Sequence, residues 1–348
     1  MSVQKQDDIL NQLIAEINGG KLGSAGDDFP TVRSLSASFG ASPVTIQRVV
    51  HRLDDMGLIF RQGRGMKIAR SAQRKRSRIG VIVSQLDNPF HSRLLNEFEK
   101  EGEKRGIEIL SAGCADNPER GRRIIKMFEE NNTEAIFVCA NKIDEHIVSC
   151  RQPVVCIGRR SLMLECPVVE VDHIRAGEMA AAHLIAQGCR DFFYVTAHNI
   201  SSDERMLGFV RCLEQYDFKL EKDHILTPDP LDGDPQNDDF FNFFKNKLST
   251  RPAGVFCFHD LWAMRVLRAA HSLSLNVPRD IAVVGFDNLP ICAETFPPLS
   301  SIAYPIRKLA ESALDILNEI KAGRNVGSRR TLLDPQLVIR QSSVIKKG

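Results

Sequence analysis

From Ile79 onward, short apolar runs alternate with amphipathic segments, and this alternation restricts the possible folds more than any other feature. The runs at 79–84, 135–140 and 281–286 are short and almost continuously apolar. Such runs are typical of parallel strands that are buried on both faces, with amphipathic helices covering those faces. This part of the chain is therefore predicted to fold as α/β with parallel sheets.

The α/β region spans 79–348, a length that is too great for a single hydrophobic core. The alternation of apolar runs and amphipathic segments is interrupted near Val171, and this interruption predicts two similar lobes. We expect lobe 1 at about 79–171 and 303–332, and lobe 2 at about 172–302 and 333–348. Because open parallel sheets bind ligands beyond the carboxyl ends of their strands, the cleft between the lobes is the predicted ligand site.

Residues 1–69 show a different pattern, with three helical segments followed by two short strand-like runs. Apolar residues recur at helical spacing in 5–18, after Pro30 and in 43–53, and the two runs flank Gly63-Arg64-Gly65. Three helices and a hairpin in so short a segment predict a winged helix-turn-helix. The second helix of that motif enters the DNA major groove.

The charge of the chain is unevenly distributed. Residues 1–78 contain 13 Lys and Arg against 7 Asp and Glu, a net +6, so the remainder carries −4 of the total +2. The stretch 70–78, RSAQRKRSR, has no apolar periodicity and is predicted to be a basic linker. This asymmetry favours a polyanionic partner for the N-terminal part, and a chance imbalance of surface charge is the alternative.

Several function classes receive no support from the sequence. Nine cysteines without a CxxC pair indicate a reducing compartment and neither a disulfide framework nor a metal site. No apolar run is long enough to cross a membrane, and the start MSVQKQDDILNQ lacks a secretory h-region. With no GxSxG, Walker or HExxH motif, we expect a cytoplasmic protein that is not an enzyme and uses no cofactor.

The sequence of residues 1–69, called the head below, resembles the GntR-type winged helix. It has Pro-x-x-Arg-x-Leu at 30–35, a Gly-x-Ser turn at 40–42, Leu-x-x-x-Gly-Leu-Ile at 53–59 and a Gly-x-Gly wing at 63–65. The family also has a threonine in the recognition helix, here Thr45. The resemblance covers residues 1–69 and implies binding to double-stranded operator DNA.

Residues 79–343 resemble the LacI/GalR effector-binding domain, which is itself similar to periplasmic sugar-binding proteins. The matching segments include IGVIVSQLDNPF, PVVCIG, ERMLGFVRCL, VPRDIAVVGFDNLP and QLVIRQSS, in that order. GntR-type heads joined to LacI-type bodies occur in the arabinose-repressor group of regulators. The resemblance implies a homodimeric repressor of a carbohydrate-use operon, whose operator affinity changes when a small sugar-like effector binds in the cleft.

The resemblance does not extend to how the head reads DNA. The LacI hinge helix has no counterpart, and Pro43 and Gln47 stand where many GntR heads have arginines. With Ile46, Val49, Val50 and Leu53 toward the core, the outward face is predicted to hold Val44, Thr45, Gln47, Arg48, His51 and Arg52. Glutamine pairs with adenine in a bidentate manner, and threonine contacts a phosphate or a thymine methyl group. The predicted DNA-binding residues are Arg33, Ser42, Val44, Thr45, Gln47, Arg48, Arg52, Arg64 and Lys67.

Two residues match the ligand-binding positions of the LacI-type body most directly. Arg205 lies in ERMLGF and Asp287 in GFDN, and a guanidinium fork bonds two adjacent hydroxyls or a carboxylate. The predicted effector-binding residues are Phe90, His91, Arg159, Arg205, His259, Asp260 and Asp287. For Asp260 the alternative is a helix N-cap. A neutral sugar, a sugar acid, a sugar phosphate and a purine all stay open as effectors, and a solute-binding protein without a regulatory role is the alternative function.

Overall fold

The computed structural model describes residues 3–63, 65–69, 77–159, 165–197, 199–228, 237–248 and 250–346. The chain divides into two compact units, a head of Met1–Ser77 and a body of Arg78–Gly348. Arg64 at the predicted wing tip and residues 70–76 of the predicted linker lie outside the described residues.

The head consists of three helices and a hairpin. In chain order these are α1 (Val3–Asn18), α2 (Val32–Phe39), α3 (Pro43–Asp55), β1 (Ile59–Gln62) and β2 (Gly65–Ile68). The strands pair antiparallel, with Ile59 opposite Ile68, and both side chains enter the core beneath the helices. The buried faces of α1 and α3 supply Leu13, Ile46 and Val49 to that core, as the helical spacing predicted. The winged helix-turn-helix prediction is confirmed.

The first part of the body builds one parallel sheet with its covering helices. Its elements are β3 (Ser77–Val83), α4 (Pro89–Arg105), β4 (Ile107–Gly113), α5 (Pro118–Glu130), β5 (Ala135–Cys139), α6 (Asp144–Val148), β6 (Val154–Ile157) and β7 (Val168–Val171). β5 pairs in parallel with both β3 and β6, and every residue of β5 is buried. This burial on both faces is why the strand reads as one apolar run.

The second part of the body builds a second sheet of the same kind and adds one helix and one strand to the first lobe. Its elements are α7 (His173–Ala186), β8 (Asp191–Val195), α8 (Ile200–Gln215), β9 (Ile225–Leu226), α9 (Asn237–Lys247), β10 (Ala253–Cys257), α10 (Asp260–Ser272), β11 (Ile281–Asp287), β12 (Ser300–Ala303), α11 (Ile306–Lys321), β13 (Arg330–Leu333) and β14 (Gln336–Val338). Short 3₁₀ turns occur at Lys222–His224, Pro290–Ala293 and Gln341–Ser343.

The strands of the body form two separate sheets. In the described residues the strand orders are β13-β7-β6-β5-β3-β4 for lobe 1 and β14-β12-β11-β10-β8-β9 for lobe 2. The chain passes from lobe 1 to lobe 2 after β7, returns after β12 through α11, and passes again after β13. The predicted α/β class with two parallel-sheet lobes is confirmed. No helix among the described residues is both long and apolar enough to cross a membrane.

Candidate functional site

The N-terminus of α3 is held by a hydrogen-bonded cap. Ser42 has extended backbone angles and its Oγ accepts from the Thr45 N–H at 3.2 Å, while the two hydroxyl oxygens lie 2.8 Å apart. Thr45 is only 7% exposed. The expectation that Thr45 faces outward is therefore wrong, because its hydroxyl turns back to the cap. Ser42 itself remains exposed beside the first turn.

The exposed side of α3 carries apolar, amide and basic side chains, and His51 and Arg52 are exposed on this helix as predicted. Val44 is 61% exposed, and Gln47 and Arg48 are exposed on the same side of the helix. Arg33, on α2, is also exposed. Within the described part of the chain, no carboxylate forms an ion pair with Arg33 or Arg48. These two guanidinium groups can bind an anionic partner without breaking an ion pair to any described residue.

Two other predicted cations of the head, Arg52 and Lys67, have carboxylate partners. Arg52 Nη1 lies 2.6 Å from Asp7 Oδ1 and so ties α3 to α1, and Lys67 Nζ lies 2.9 Å from Asp28 Oδ1. Both pairs are partly solvated, and such pairs contribute about 0–1 kcal/mol each. Binding a phosphate with either residue requires exchange of this partner, so the structure ranks them below Arg33 and Arg48 as phosphate contacts.

In the body, Arg205 lies at the centre of the predicted cleft site. It is on the first turns of α8, and only 4% of its surface is exposed. Its guanidinium carbon is 3.4 Å from the ring centroid of Phe286 and 4.5 Å from that of Phe258. Nε donates to His173 Nδ1 at 3.1 Å, and Nη1 donates to the Phe258 carbonyl. Two aromatic rings and two acceptors fix the orientation of the guanidinium.

Two glycines set the position of Arg205. Gly177 of α7 and Gly208 of α8 lie where the two helices approach most closely. A Cβ on Gly177 would be 2.0 Å from the Arg205 carbonyl oxygen, and one on Gly208 would be 1.9 Å from the Ile174 carbonyl oxygen. Only glycine permits this backbone approach, which brings Arg205 next to His173 at the start of α7.

Behind Arg205, buried charges continue toward the surface of lobe 1. His173 Nε2 is 3.8 Å from Glu170 Oε2, and Glu170 Oε1 accepts from Arg330 Nε at 2.5 Å. Arg330 also donates to Glu204, which lies on α8 next to Arg205. Since Glu170 is on β7 and Arg330 on β13, this network connects the Arg205 site to two strands that adjoin lobe crossings.

Two carboxyl groups face the Arg205 region from the carboxyl ends of the lobe 2 strands. Asp260 is fully buried, and it accepts from the Leu289 N–H at 2.8 Å and from the Ser301 hydroxyl at 2.6 Å. Burial raises the pKa of Asp260 to about 6. Burial and the Asp260 charge raise the pKa of Asp287 well above its usual range, and the charges of Arg205 and Arg93 oppose that rise. Buried carboxyls beside a cation are suited to hydroxyl groups.

Asp287 has a constrained backbone and a contact from the other lobe. Its φ is 104° and that of Asn288 is 49°, a region that side-chain-bearing residues seldom adopt. Arg93 of α4 in lobe 1 donates from Nη1 to the carbonyls of Asp287, at 3.4 Å, and Asn288, at 3.1 Å. Arg93 therefore connects the two lobes at the residue that the sequence placed in the cleft.

His259 and Trp262 have structural roles at the same strand end. His259, rather than Asp260, is the N-cap of α10, because its Nδ1 accepts from the Trp262 N–H at 3.1 Å. Burial lowers the pKa of His259 to about 3, so the ring is neutral. The Trp262 ring centroid is 4.4 Å from that of His259 and 5.9 Å from that of Phe258. Trp262, the only tryptophan, therefore contacts Phe258, and Phe258 in turn contacts the Arg205 guanidinium.

The three predicted residues of lobe 1 differ in their surroundings. Phe90 contacts the Tyr304 ring at a centroid distance of 4.9 Å, and Tyr304 contacts Phe286 at 5.6 Å. His91 instead bonds the Gln85 carbonyl at 2.9 Å, and Arg159 forms an ion pair with Asp144. The structure therefore brings Phe90 into the aromatic group around Arg205, whereas His91 and Arg159 are engaged within their own lobe.

Sequence reasoning did not identify several residues of this site: His173, Phe258, Phe286, Tyr304, Arg93 and the glycine pair. The glycines in RAGEMA and RMLGF were the available signal, since glycine inside a helical pattern indicates close packing. No group of three or more His, Cys, Asp or Glu side chains suited to a metal ion occurs in the described ranges.

Comparison with known families agrees with both units. Residues 5–68 match the model of the bacterial regulatory proteins of the gntR family, and residues 181–343 match that of the periplasmic binding protein-like domain. The first match covers the head and the second covers most of lobe 2, including Arg205, Asp260 and Asp287.

Full-length relatives are regulators. The HTH-type transcriptional regulator DegA of Bacillus subtilis is 23% identical over 92% of this chain and 96% of its own length. The HTH-type transcriptional repressor PurR of Photobacterium profundum is 23% identical over 90% and 98%. A periplasmic binding protein/LacI transcriptional regulator from Alkaliphilus metalliredigens, solved with D-xylulofuranose, has a TM-score of 0.66 at 20% identity, covering 77% of this chain and 99% of that one. The chain therefore joins a head that matches the gntR-family model to a body that matches the periplasmic binding protein-like domain, and the two full-length relatives with which it aligns are HTH-type transcriptional regulators.

Proposed function

We propose that this protein is a cytoplasmic repressor of a carbohydrate-use operon, and that a small neutral sugar in the cleft changes its affinity for operator DNA. The head would bind a two-fold symmetric operator as part of a homodimer. A ligand changes DNA affinity only through a difference in its own affinity for two conformations, here proposed to be open and closed arrangements of the lobes.

The observation that carries the proposal is the setting of Arg205. Its guanidinium is fixed between two rings, its Nε and Nη1 have protein acceptors, and among the described residues none accepts from Nη2. The Asp287 carboxyl is close enough for the Arg205 charge to act on it, and no described residue donates a hydrogen bond to that carboxyl. A donor and an acceptor beside aromatic faces suit a sugar, whose hydroxyls both donate and accept and whose ring has apolar C–H faces.

Two features favour a neutral pentose over a phosphorylated sugar. Arg159, a predicted effector-binding cation, already forms an ion pair with Asp144. The fold relative from Alkaliphilus metalliredigens was solved with the neutral sugar D-xylulofuranose. A purine is the second candidate, because Phe90, Phe286 and Tyr304 form an aromatic group that would stack on a flat base.

A ligand panel tests the proposed effector. Melting temperature and Trp262 fluorescence are recorded with neutral pentoses and hexoses, a sugar acid, sugar phosphates and purine nucleosides. We expect a neutral pentose to give the largest shift and Arg205→Met to abolish it. Arg190→Met is the matched control, because Arg190 also lies over a phenylalanine ring, that of Phe218 at 5.4 Å. A shift confined to purines or phosphates, or one that survives in Arg205→Met, contradicts the assignment.

Operator binding is tested separately by gel shift with DNA from upstream of the protein's own gene, with and without the active compound. We expect a sequence-specific complex that the compound changes. Absence of a specific complex from folded protein at low salt contradicts the regulator function. The body as a solute-binding protein without a regulatory role, the alternative from the sequence, would then be favoured. Sustained turnover of the compound would contradict the expectation that the protein is not an enzyme.

A further inference from the structure

Two thiols lie side by side in lobe 1, outside both sites described above. Cys156 is in β6, Cys166 lies just before β7, and these two strands pair in parallel. Their Sγ atoms are 3.3 Å apart, and both residues are buried against Val168. A disulfide bond is about 2 Å long, so a movement of little more than one ångström would join the two sulfur atoms.

Cys166 is the more accessible member of the pair, with 9% of its surface exposed against 0% for Cys156. It lines a surface groove of about 570 Å³, together with Val148, Val154 and Ile320. The hydrogen bond with Cys156 lowers the pKa of the Cys166 thiol and the Arg159 charge lowers it further, whereas burial and the Asp144 charge oppose the change. The same hydrogen bond and burial raise the pKa of Cys156. The thiolate is the reactive form of cysteine.

We propose that Cys156 and Cys166 form a reversible redox pair that a hydroperoxide oxidises to a disulfide. In the first step the Cys166 thiolate attacks a peroxide oxygen. An S–O bond forms as the O–O bond breaks, and the departing hydroxide or alkoxide takes a proton. In the second step the Cys156 sulfur attacks the Cys166 sulfur, the S–O bond breaks, and water leaves with the Cys156 proton. The thiols lose two electrons to the peroxide, and a dithiol reductant restores them.

The location gives the bond a route to the cleft. Cys156 is two residues before Gly158, whose carbonyl accepts from the Tyr304 hydroxyl at 3.4 Å. Tyr304 is part of the aromatic group beside Arg205. A disulfide at Cys156 would restrict the carboxyl end of β6, which is followed directly by Gly158 and its hydrogen bond with Tyr304. The thiol chemistry itself does not depend on the proposed effector.

The test uses the full-length chain treated with hydrogen peroxide, followed by alkylation of free thiols and non-reducing peptide mass spectrometry. We expect a loss of two free thiols per chain, a linked Cys156–Cys166 peptide, and recovery of both thiols with dithiothreitol. Cys166→Ser should eliminate the linked peptide. Cys150→Ser is the matched control and should retain it, because Cys150 is the half-buried thiol whose Sγ contacts the Gln152 side chain at 3.0 Å.

The wild-type measurement decides the outcome even if a variant folds poorly. Thiol loss without a Cys156–Cys166 peptide overturns the proposal, as does the absence of any thiol loss under peroxide. Persistence of the same two-thiol loss in folded Cys166→Ser also overturns it. Melting curves of the reduced variants establish that they are folded before they are compared.

Discussion

Removal of the Arg48 guanidinium should weaken DNA binding by a predictable and salt-dependent amount. Arg48 is exposed on the outward face of α3 and has no carboxylate partner among the described residues. Each phosphate that a protein cation neutralises adds about 0.9 to the slope of log K against log salt. At about 0.1 M salt, one such contact corresponds to about eightfold in affinity, or about 1.2 kcal/mol, per head.

Arg52 provides the internal comparison on the same helix. Its guanidinium is 2.6 Å from Asp7, so a phosphate contact requires loss of a half-exposed ion pair. Such a pair contributes about 0–1 kcal/mol, which reduces the net gain from a phosphate. Arg52→Ala is therefore expected to lower affinity about threefold, against about eightfold for Arg48→Ala.

The assay is fluorescence anisotropy with a duplex of arbitrary sequence, titrated at several salt concentrations from about 50 to 200 mM. Lys126→Ala, an exposed lysine on α5, controls for the change in net charge. We expect the slope to fall by about 0.9 per head in Arg48→Ala and to stay at the wild-type value in Lys126→Ala. Equal slopes for wild type and Arg48→Ala would refute the assignment of Arg48 to a phosphate.

Four further outcomes are expected. Gln47→Ala should relax operator preference at one base pair by about 1–3 kcal/mol, measured by competition between operator variants. Gly208→Ala should lower the melting temperature and abolish effector binding, because its Cβ would lie 1.9 Å from the Ile174 carbonyl oxygen. Arg93→Met should lower the affinity for the active compound of the ligand panel about tenfold, because the substitution removes two hydrogen bonds between the lobes. Asp260→Asn should alter the pH dependence of unfolding. Burial raises the pKa of Asp260 from 3.8 to about 6. The free energy of unfolding of wild type, relative to that of the variant, is therefore highest below pH 3.8 and falls by about 3 kcal/mol as pH rises through 6.

Each of these outcomes has a control or a contradicting result. Unchanged operator preference in Gln47→Ala would mean that α3 docks by shape and phosphate contacts. Glu214→Ala, exposed on the same helix as Gly208, should leave melting and binding unchanged. Arg105→Met removes an arginine of α4 that pairs with Asp315 inside lobe 1, so it should bind the compound normally. A pH-independent difference in unfolding free energy between wild type and Asp260→Asn would contradict the raised pKa.

Local patterns in the sequence were enough to predict the elements and their class. The apolar run Ala135–Cys139 is a fully buried strand, and Ile46, Val49 and Leu53 form the buried stripe of α3. These predictions succeed because strand and helix periods depend only on which neighbouring residues are apolar. Arg205 and Asp287 were found by resemblance to family motifs, and the structure places Asp287 at the carboxyl end of β11 and Arg205 on α8, the helix that follows β8.

The long-range partners of the polar groups were decided by the tertiary structure, whereas helix caps such as Ser42–Thr45 are local. Arg93 reaches Asp287 across 194 residues of sequence, and Arg205 reaches His173 across 32. Thr45 turns to its cap because the local hydrogen bond to Ser42 satisfies its hydroxyl. A side chain's periodic position gives its side of a helix, whereas its partner depends on which elements pack together and how closely. In this protein the glycine contact between α7 and α8 sets that distance at Arg205, and no local period in the sequence encodes it.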